Sequence, residues 1–222
     1  MASHRLCLIH PTDPRVEPVG AVETRLNAVL SALPTDFSVL FVGADHVGDL
    51  RLGSGAAISV AGRSVDFLPV RRGGSGSFAA GLMRHLSAVR AAARAEVASV
   101  SVHDFTWAPF ARLVGRPIVL VVHADPHAGA VAGRVPLPTA LRESLALRVA
   151  DRVVACDAGF ARRCRAANPA IAAKTELLAL PADDEAATVS LFDGDAQVAR
   201  LWERHRRLFD AHAVRRGLHA AA

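Results

Sequence analysis

Strand-length apolar runs alternate with helix-spaced segments along most of the chain, and this alternation narrows the fold more than any other feature. A βαβα order buries its apolar faces by laying helices on both sides of a mostly parallel sheet. Arg5 to Ile9 is a short apolar run stopped by His10-Pro11, which predicts a first strand. Val22, Leu26, Val29, Leu30 and Leu33 then fall at helical spacing, and Pro34 ends that helix. Phe37 to Val42 predicts a second strand, and Ile58 to Val60 and Val65 to Val70 predict two pieces turned at Gly62-Arg63. Behind a flexible stretch from Arg71 to Ser77, the residues Phe78, Leu82, Leu86, Val89 and Val97 share one side of a helix. A strand from Val100 to His103, a short helix from Trp107 to Val114 and a strand from Pro117 to His123 follow. Next come a helix over Leu137 to Val149 with Leu141 and Leu145 inward, a strand over Val153 to Cys156, and a helix that Asp157 caps.

Past Leu178 the alternation stops. Residues 1–180 are therefore expected to form one α/β lobe, a Rossmann-like doubly wound, mostly parallel sheet flanked by helices. The segment 181–195, rich in Asp and Ala with little pattern, is expected to be a linker. A helix over 196–217 packs back on the lobe through Val198, Leu201, Trp202, Leu208 and Phe209, with Asp195 as its N-cap and Arg215, Arg216 and Gly217 closing it.

Several function classes are disfavoured at once. The longest aliphatic run, Ile118 to Val122, is far too short to cross hydrocarbon. Met1 to His10 has one Arg before its apolar stretch and no small-residue cleavage site, so a cytoplasmic chain is expected, with any membrane contact peripheral at the inner face. Cys7, Cys156 and Cys164 match no zinc or redox spacing. The net charge of +5 and pI of 10.3 come from Arg, since Lys174 is the single Lys. Those Arg residues are dispersed and Tyr is absent, which argues against nucleic acid as a partner. Arg71, Arg72, Arg84, Arg90 and Arg94, around the flexible stretch and its helix, are the candidates for contact with an anionic membrane; a solvated helix face is the alternative.

The carboxyl ends of the strands are where an open α/β sheet binds ligands. His10 follows the first strand, His103 and Asp104 the Val100 strand, and His123 the Pro117 strand, so three imidazoles in equivalent positions predict a shared cleft. The loop Pro18-Val19-Gly20-Ala21-Val22-Glu23 opens a helix, where free N–H groups and the helix dipole suit a phosphate or carboxylate. Gly73 to Ser77 lacks both the dinucleotide fingerprint and the P-loop pattern. His123, Asp125 and His127 alternate, so in extended conformation they would face one side as metal ligands do; this supports a metal-dependent enzyme as a rival reading. No Gly-x-Ser-x-Gly elbow is present.

Several of these segments, in order, resemble a known family. Gly20-Ala21-Val22-Glu23 is similar to a Gly-Gly-hydrophobic-Glu loop, and Val102-His103-Asp104-Phe105 to a strand end carrying His and Asp. Gly115 to His123, Ala150-Asp151-Arg152-Val153-Val154-Ala155 and Lys174-Thr175-Glu176-Leu177-Leu178 follow in register. Together, Arg5 to about Asp183 resembles the N-terminal, acceptor-side domain of family-four retaining glycosyltransferases of the GT-B fold. The resemblance implies sugar transfer from a nucleotide sugar, as co-substrate, to a sugar or lipid-linked acceptor, with no metal ion and no permanently bound cofactor. It implies His123, His103 and Asp104 as catalytic candidates and Gly20, Ala21 and Glu23 as the loop that meets the donor phosphate. Ala21 departs from the family by adding a methyl where a second Gly is usual, and Asp157 stands where Ser is usual. About forty residues follow Asp183, too few for the family's donor-binding domain. The expectation is an acceptor-side half that works with a separate donor-binding subunit. A non-catalytic relic or binding module of the same fold is the alternative.

Overall fold

A computed structural model describes residues 4–74, 76–94, 97–123, 137–178 and 198–207. Eight strands form one sheet: β1 (His4–Ile9), β2 (Phe37–Asp45), β3 (Ala56–Val60), β4 (Arg63–Arg72), β5 (Val97–Val102), β6 (Ile118–Val122), β7 (Arg152–Ala155) and β8 (Thr175–Leu177). Their spatial order is β3-β4-β2-β1-β5-β6-β7-β8, and every neighbouring pair is parallel except the β3–β4 hairpin. That hairpin turns at Ala61 and Gly62, both at positive φ (47° and 77°), the geometry a two-residue loop needs to match strand twist. The chain runs outward from β1 to β2 and later returns to β5 on the other side of β1. The topological switch point therefore lies between β1 and β5, whose carboxyl ends are where open α/β sheets bind ligands.

The two sheet faces are covered unequally. On one, α2 (Phe78–Arg84), α3 (Leu86–Arg94), α4 (Ala108–Ala111), α5 (Leu137–Val149) and α6 (Ala158–Ala167) bury Phe78, Leu82, Val89, Leu147 and Phe160 against β-strand residues such as Ile9, Val100 and Leu120. On the other, α1 (Ala21–Ser31) and a helix over 198–207 bury Leu26, Val29, Leu30, Val198, Leu201 and Trp202 against Leu6, Leu8, Val119, Val121 and Val154. Trp202 fixes the latter helix twice: its Nε1–H donates to the Val29 carbonyl at 3.1 Å, and its ring lies 4.9 Å from that of Phe37. The expected returning helix thus packs as its stripe of Val198, Leu201 and Trp202 requires. Its Leu208, Phe209 and Arg215 to Gly217, its cap Asp195 and the expected linker lie outside the described residues.

Three expectations are corrected. Leu141 and Leu145 do not point inward but are 66% and 45% exposed. α5 instead buries Glu143, which pairs with Arg163 of α6, together with Ala146 and Leu147, and Ala150 just past its end is buried as well. The helix behind Ser77 is broken at His85, because α2 leans on β4. A Cβ on Gly81 would lie 2.5 Å from the Val70 carbonyl oxygen, and the chain redirects into α3. Val97 belongs to β5, not to that helix. The short α7 (Pro169–Ala172), capped by Asn168, and β8 complete the described fold.

Candidate functional site

Alternation along the strands decides which residues share one face at this edge of the sheet. His10, Ser101, His103 and His123 each follow the face of their strand that carries Leu8, Val119 and Val121, so all four lie on the side covered by α1. His10, His103 and His123 are nearly fully buried, and the adjacency of β1, β5 and β6 brings them together as expected. His103 Nδ1 and His123 Nε2 are 2.8 Å apart, and the two rings stack at 5.0 Å between centroids. Ser101 Oγ lies 3.2 Å from His103 Nε2, extending the contact into a three-membered chain.

These imidazoles are neutral. Burial, then the neighbouring His123, His10 and His205, lowers the pKa of His103 well below 6.5; burial, then Arg25 and His10, lowers that of His123 to about 3. Burial also lowers that of His10, opposed by the carboxylates of Glu23 and Asp104, which places both acids near its ring. His10 is held by its own N–H, donated to the Val42 carbonyl at 3.1 Å, and its Nδ1 has no partner among the described residues.

The other predicted site residues occupy the rim. Asp104 Oδ1 accepts the Thr106 N–H at 2.7 Å, so part of that carboxylate forms a turn after β5. Gly20 is the N-cap of α1 in extended conformation, and Ala21 begins the helix with its side chain exposed. Glu23 folds back over Gly20: a Cβ there would come within 2.2 Å of Glu23 Oε2. The helix N-terminus expected to receive a phosphate thus has the chain's own carboxylate beside it, where the dipole favours negative charge. Asp157 caps α6 as expected, accepting the Phe160 N–H at 2.7 Å. Asp125 and His127 lie outside the described residues, and no group of three or more potential ligands that could hold a metal occurs among the described ones.

Sequence reasoning missed three parts of this edge. Ser101 is an ordinary strand residue until the fold places its hydroxyl under His103. Arg25, on α1, acts on both His123 and Cys156; burial raises the Cys156 thiol to about 11, with Arg25 opposing. On the β2 side, Arg15 binds three carboxylates. Its Nη2 donates to Asp13 at 2.8 Å and Asp45 at 2.6 Å, and its Nη1 to Asp49 at 2.6 Å. Asp13 also accepts the His46 N–H, and Asp45 those of Gly48 and Leu50. This cluster ties the loop before α1 to the loop after β2. The pocket between that first loop and α1, lined by Thr12, Asp13, Val16, Pro18, Glu23 and Asn27, encloses about 10 Å³, room for a single water.

Of the Arg residues proposed to meet membrane, Arg90 donates to the Leu113 carbonyl at 2.6 Å, and Arg72 to the carbonyls of Gly48 and Leu50. No helix among the described residues is long and apolar enough to cross a membrane.

Sheet order, switch point and helical layers define an α/β lobe of the Rossmann-like, doubly wound class. The sequence matches no family model and no curated protein. Among solved structures, the chain is similar to a sucrose-phosphate synthase chain from Thermosynechococcus elongatus, at 12% identity and TM-score 0.52, covering 93% of this chain and 99% of that one. It is similar also to the UDP-GlcNAc 2-epimerase of Methanocaldococcus jannaschii, at 13% identity and TM-score 0.50, over 90% of this chain and 49% of that one. The UDP-N-acetylglucosamine 2-epimerase of Rickettsia bellii matches at 12% identity and TM-score 0.49, over 79% and 44%. The chain thus spans about half the length of the two epimerases. These neighbours are GT-B-type, glycosyltransferase-like proteins. The likeness is one of fold and is not specific to family-four N-terminal domains.

Proposed function

We propose that this chain is the acceptor-side lobe of a GT-B-type sugar transferase. On this reading a sugar passes from a nucleotide sugar to a sugar or lipid-linked acceptor once a donor-binding partner chain closes over the crevice. The observation that carries it is the meeting of His10, His103 and His123 at the switch point between β1 and β5, beside the N-terminus of α1. The fold likeness to sucrose-phosphate synthase and to an epimerase named for a UDP-sugar supports the same reading.

Neutral, buried imidazoles suit hydrogen bonding to sugar hydroxyls, with Glu23 and Asp104 as carboxylates in reach of the same cleft. Gly20 and Ala21 open the helix end that would meet the donor phosphate, with Glu23 giving way. A lone lobe leaves that cleft open on one side, whereas transfer needs acceptor and leaving diphosphate held together. The peripheral, inner-face membrane location belongs to this proposal only where the acceptor is lipid-linked.

Immunodepletion of the chain from an extract of its own cells tests the reading, with labelled UDP- and GDP-sugars as donors. One transfer activity should disappear, return on adding wild-type chain, and fail to return with His123→Ala. Transfer unchanged by depletion would leave a binding module of this fold as the answer. Turnover of a nucleotide sugar by the purified chain alone would overturn the two-chain arrangement.

A further inference from the structure

The outward side of α5 combines apolar surface with positive charge. Of the large apolar side chains exposed among the described residues, Val19, Val47 and Met83 lie on three separate segments, whereas Leu141 and Leu145 stand one turn apart on the same side of α5. With about 3.6 residues per turn, Arg142 falls to one side of that pair and Arg148 to the other, and both are exposed. The neighbouring α6, tied to α5 by the pair of Arg163 with Glu143, adds the exposed Arg162 and Arg165. No carboxylate pairs with Arg142, Arg148, Arg162 or Arg165 among the described residues, and Glu143, the acid of α5, is buried and already engaged. Asp151, just past the helix, pairs with Arg112. This flank therefore shows two leucines set in positive charge that nothing described cancels.

The chemistry of the stripe selects its occupant. A second copy of the chain fits badly, because a helix face laid on its symmetry mate sets arginine against arginine. A folded protein partner needs roughly 800 Å² of matched surface from each side, of which two leucines supply a small part. A lipid surface needs no matched shape. Each leucine buries its own carbons, and each arginine lays its stem along the apolar boundary while its guanidinium meets headgroup phosphates. The uncancelled charge calls for an anionic surface.

We propose that α5 is a membrane-docking face: Leu141 and Leu145 enter the boundary between headgroups and acyl chains of an anionic bilayer, and Arg142, Arg148, Arg162 and Arg165 bind its phosphates. This moves the membrane contact away from the region of Arg71 to Arg94 expected from the sequence and onto the helix between β6 and β7. The inference stands on exposure and charge and does not rest on the sugar-transfer reading, to which it adds a way of holding the lobe beside a lipid-linked acceptor.

Cosedimentation of the purified chain with vesicles of phosphatidylglycerol and phosphatidylcholine, against phosphatidylcholine alone, tests this at physiological salt with no donor or acceptor present. The chain should bind the anionic vesicles and not the neutral ones. Two double variants then remove the same charge from different places. Arg142→Ala with Arg148→Ala should weaken binding about thirtyfold, at about fivefold for each arginine. Arg84→Ala with Arg94→Ala, on the surface expected from the sequence, should weaken it less than about threefold, because charges far from the bilayer are screened. Leu141→Gln with Leu145→Gln, which keeps every charge, should weaken it at least about tenfold. All six side chains are exposed, so an unchanged unfolding midpoint is expected for each variant. Equal losses from the two arginine pairs would mean attraction by net charge alone and would overturn the proposal. Binding unmoved by the leucine variant, an absence of binding to anionic vesicles, or a dimer that the leucine variant dissociates would overturn it too. A failed transfer assay leaves vesicle binding standing, and a chain that ignores vesicles leaves the transfer assay standing.

Discussion

The carboxyl edge of the sheet has two flanks that solve the problem of buried polarity in opposite ways. On the β2 side, Asp13 and Asp45 have fully buried side chains, yet every charge is answered by Arg15 or by a backbone N–H. On the β5–β6 side, His10, His103 and His123 are buried just as deeply and carry no charge at all. The first flank spends its hydrogen-bonding capacity inside the chain and so can only hold a shape. The second keeps the His10 Nδ1 without a partner among the described residues, and recognition of a ligand needs such a group. Burial alone does not mark a site; unspent capacity does.

The largest effect should come from breaking the charged flank. Asp45→Ala leaves Arg15 short of a partner and strands the Gly48 and Leu50 N–H groups, and loss of one member of a buried pair costs about 3–5 kcal/mol. Urea unfolding measures it, and a loss below about 1 kcal/mol would mean that the cluster is solvated in solution and holds nothing. On the same flank, Gly43→Ala should cost about 1–3 kcal/mol. A Cβ at Gly43 would lie 2.5 Å from the Thr12 carbonyl oxygen and 2.8–2.9 Å from the rings of Phe41 and Phe67. None of these neighbours is a flexible side-chain end, so the loop leading to Arg15 must shift.

How much of this contrast the sequence revealed depends on whether an interaction is local. The strands β1, β2, β6 and β7, the Gly62 hairpin and the Asp157 cap are readable because each is set by neighbours a few residues apart. The three histidines were found as a set because strand ends are readable even when strand order is not. The Arg15 cluster was missed: Asp13 and Asp45 are far apart in sequence and meet only through the parallel pairing of β1 with β2. Ser101 was missed for the same reason at shorter range, since nothing in Ser-x-His tells whether the hydroxyl and the ring share a buried face. Leu141 and Leu145 misled because helical spacing defines a stripe but not which stripe meets the sheet, and α5 turns inward the side that carries Glu143, paired with the half-buried Arg163. β8, three residues long, is too short to show a period.

Acid separates the flanks by pH. The native His123 resists protonation down to about 3 while the unfolded chain takes up its proton near 6.5. The resulting stability is complete above pH 6.5 and is lost as the pH falls through that window, at up to about 1.4 kcal/mol per pH unit. His103, lowered in the same direction, adds to the same loss. For Asp13 and Asp45, burial raises the pKa, but Arg15 and the backbone N–H groups outweigh it, so the native value lies below 3.8. Their contribution is present above that value and is lost only as the pH falls below it. His123→Asn should therefore flatten the stability profile between 6.5 and about 3 by up to about 1.4 kcal/mol per pH unit, while Asp45→Ala shifts the profile down and alters its slope only as the pH falls below about 3.8. Parallel profiles for wild type and His123→Asn would show that the histidine flank is open to water.

The smallest effect belongs to Gly20→Ala, and its smallness is what makes it useful. Unlike Gly43, Gly20 has an ordinary φ of −120°, and the atom its Cβ would meet, Glu23 Oε2, is the end of a flexible side chain that can swing away. The substitution loses about half a kcal/mol of N-cap preference and recovers about as much from the stiffer unfolded chain. A net change within about 0.5 kcal/mol is expected by urea unfolding. Displacing the carboxylate from the helix end would also show whether Glu23 holds that end closed. If Gly20→Ala cost as much as Gly43→Ala, Glu23 would be fixed against Gly20 as firmly as Thr12 is against Gly43. The helix end would then belong with the charged flank, as a part that keeps its shape, and not with His10, whose Nδ1 has a bond left to offer.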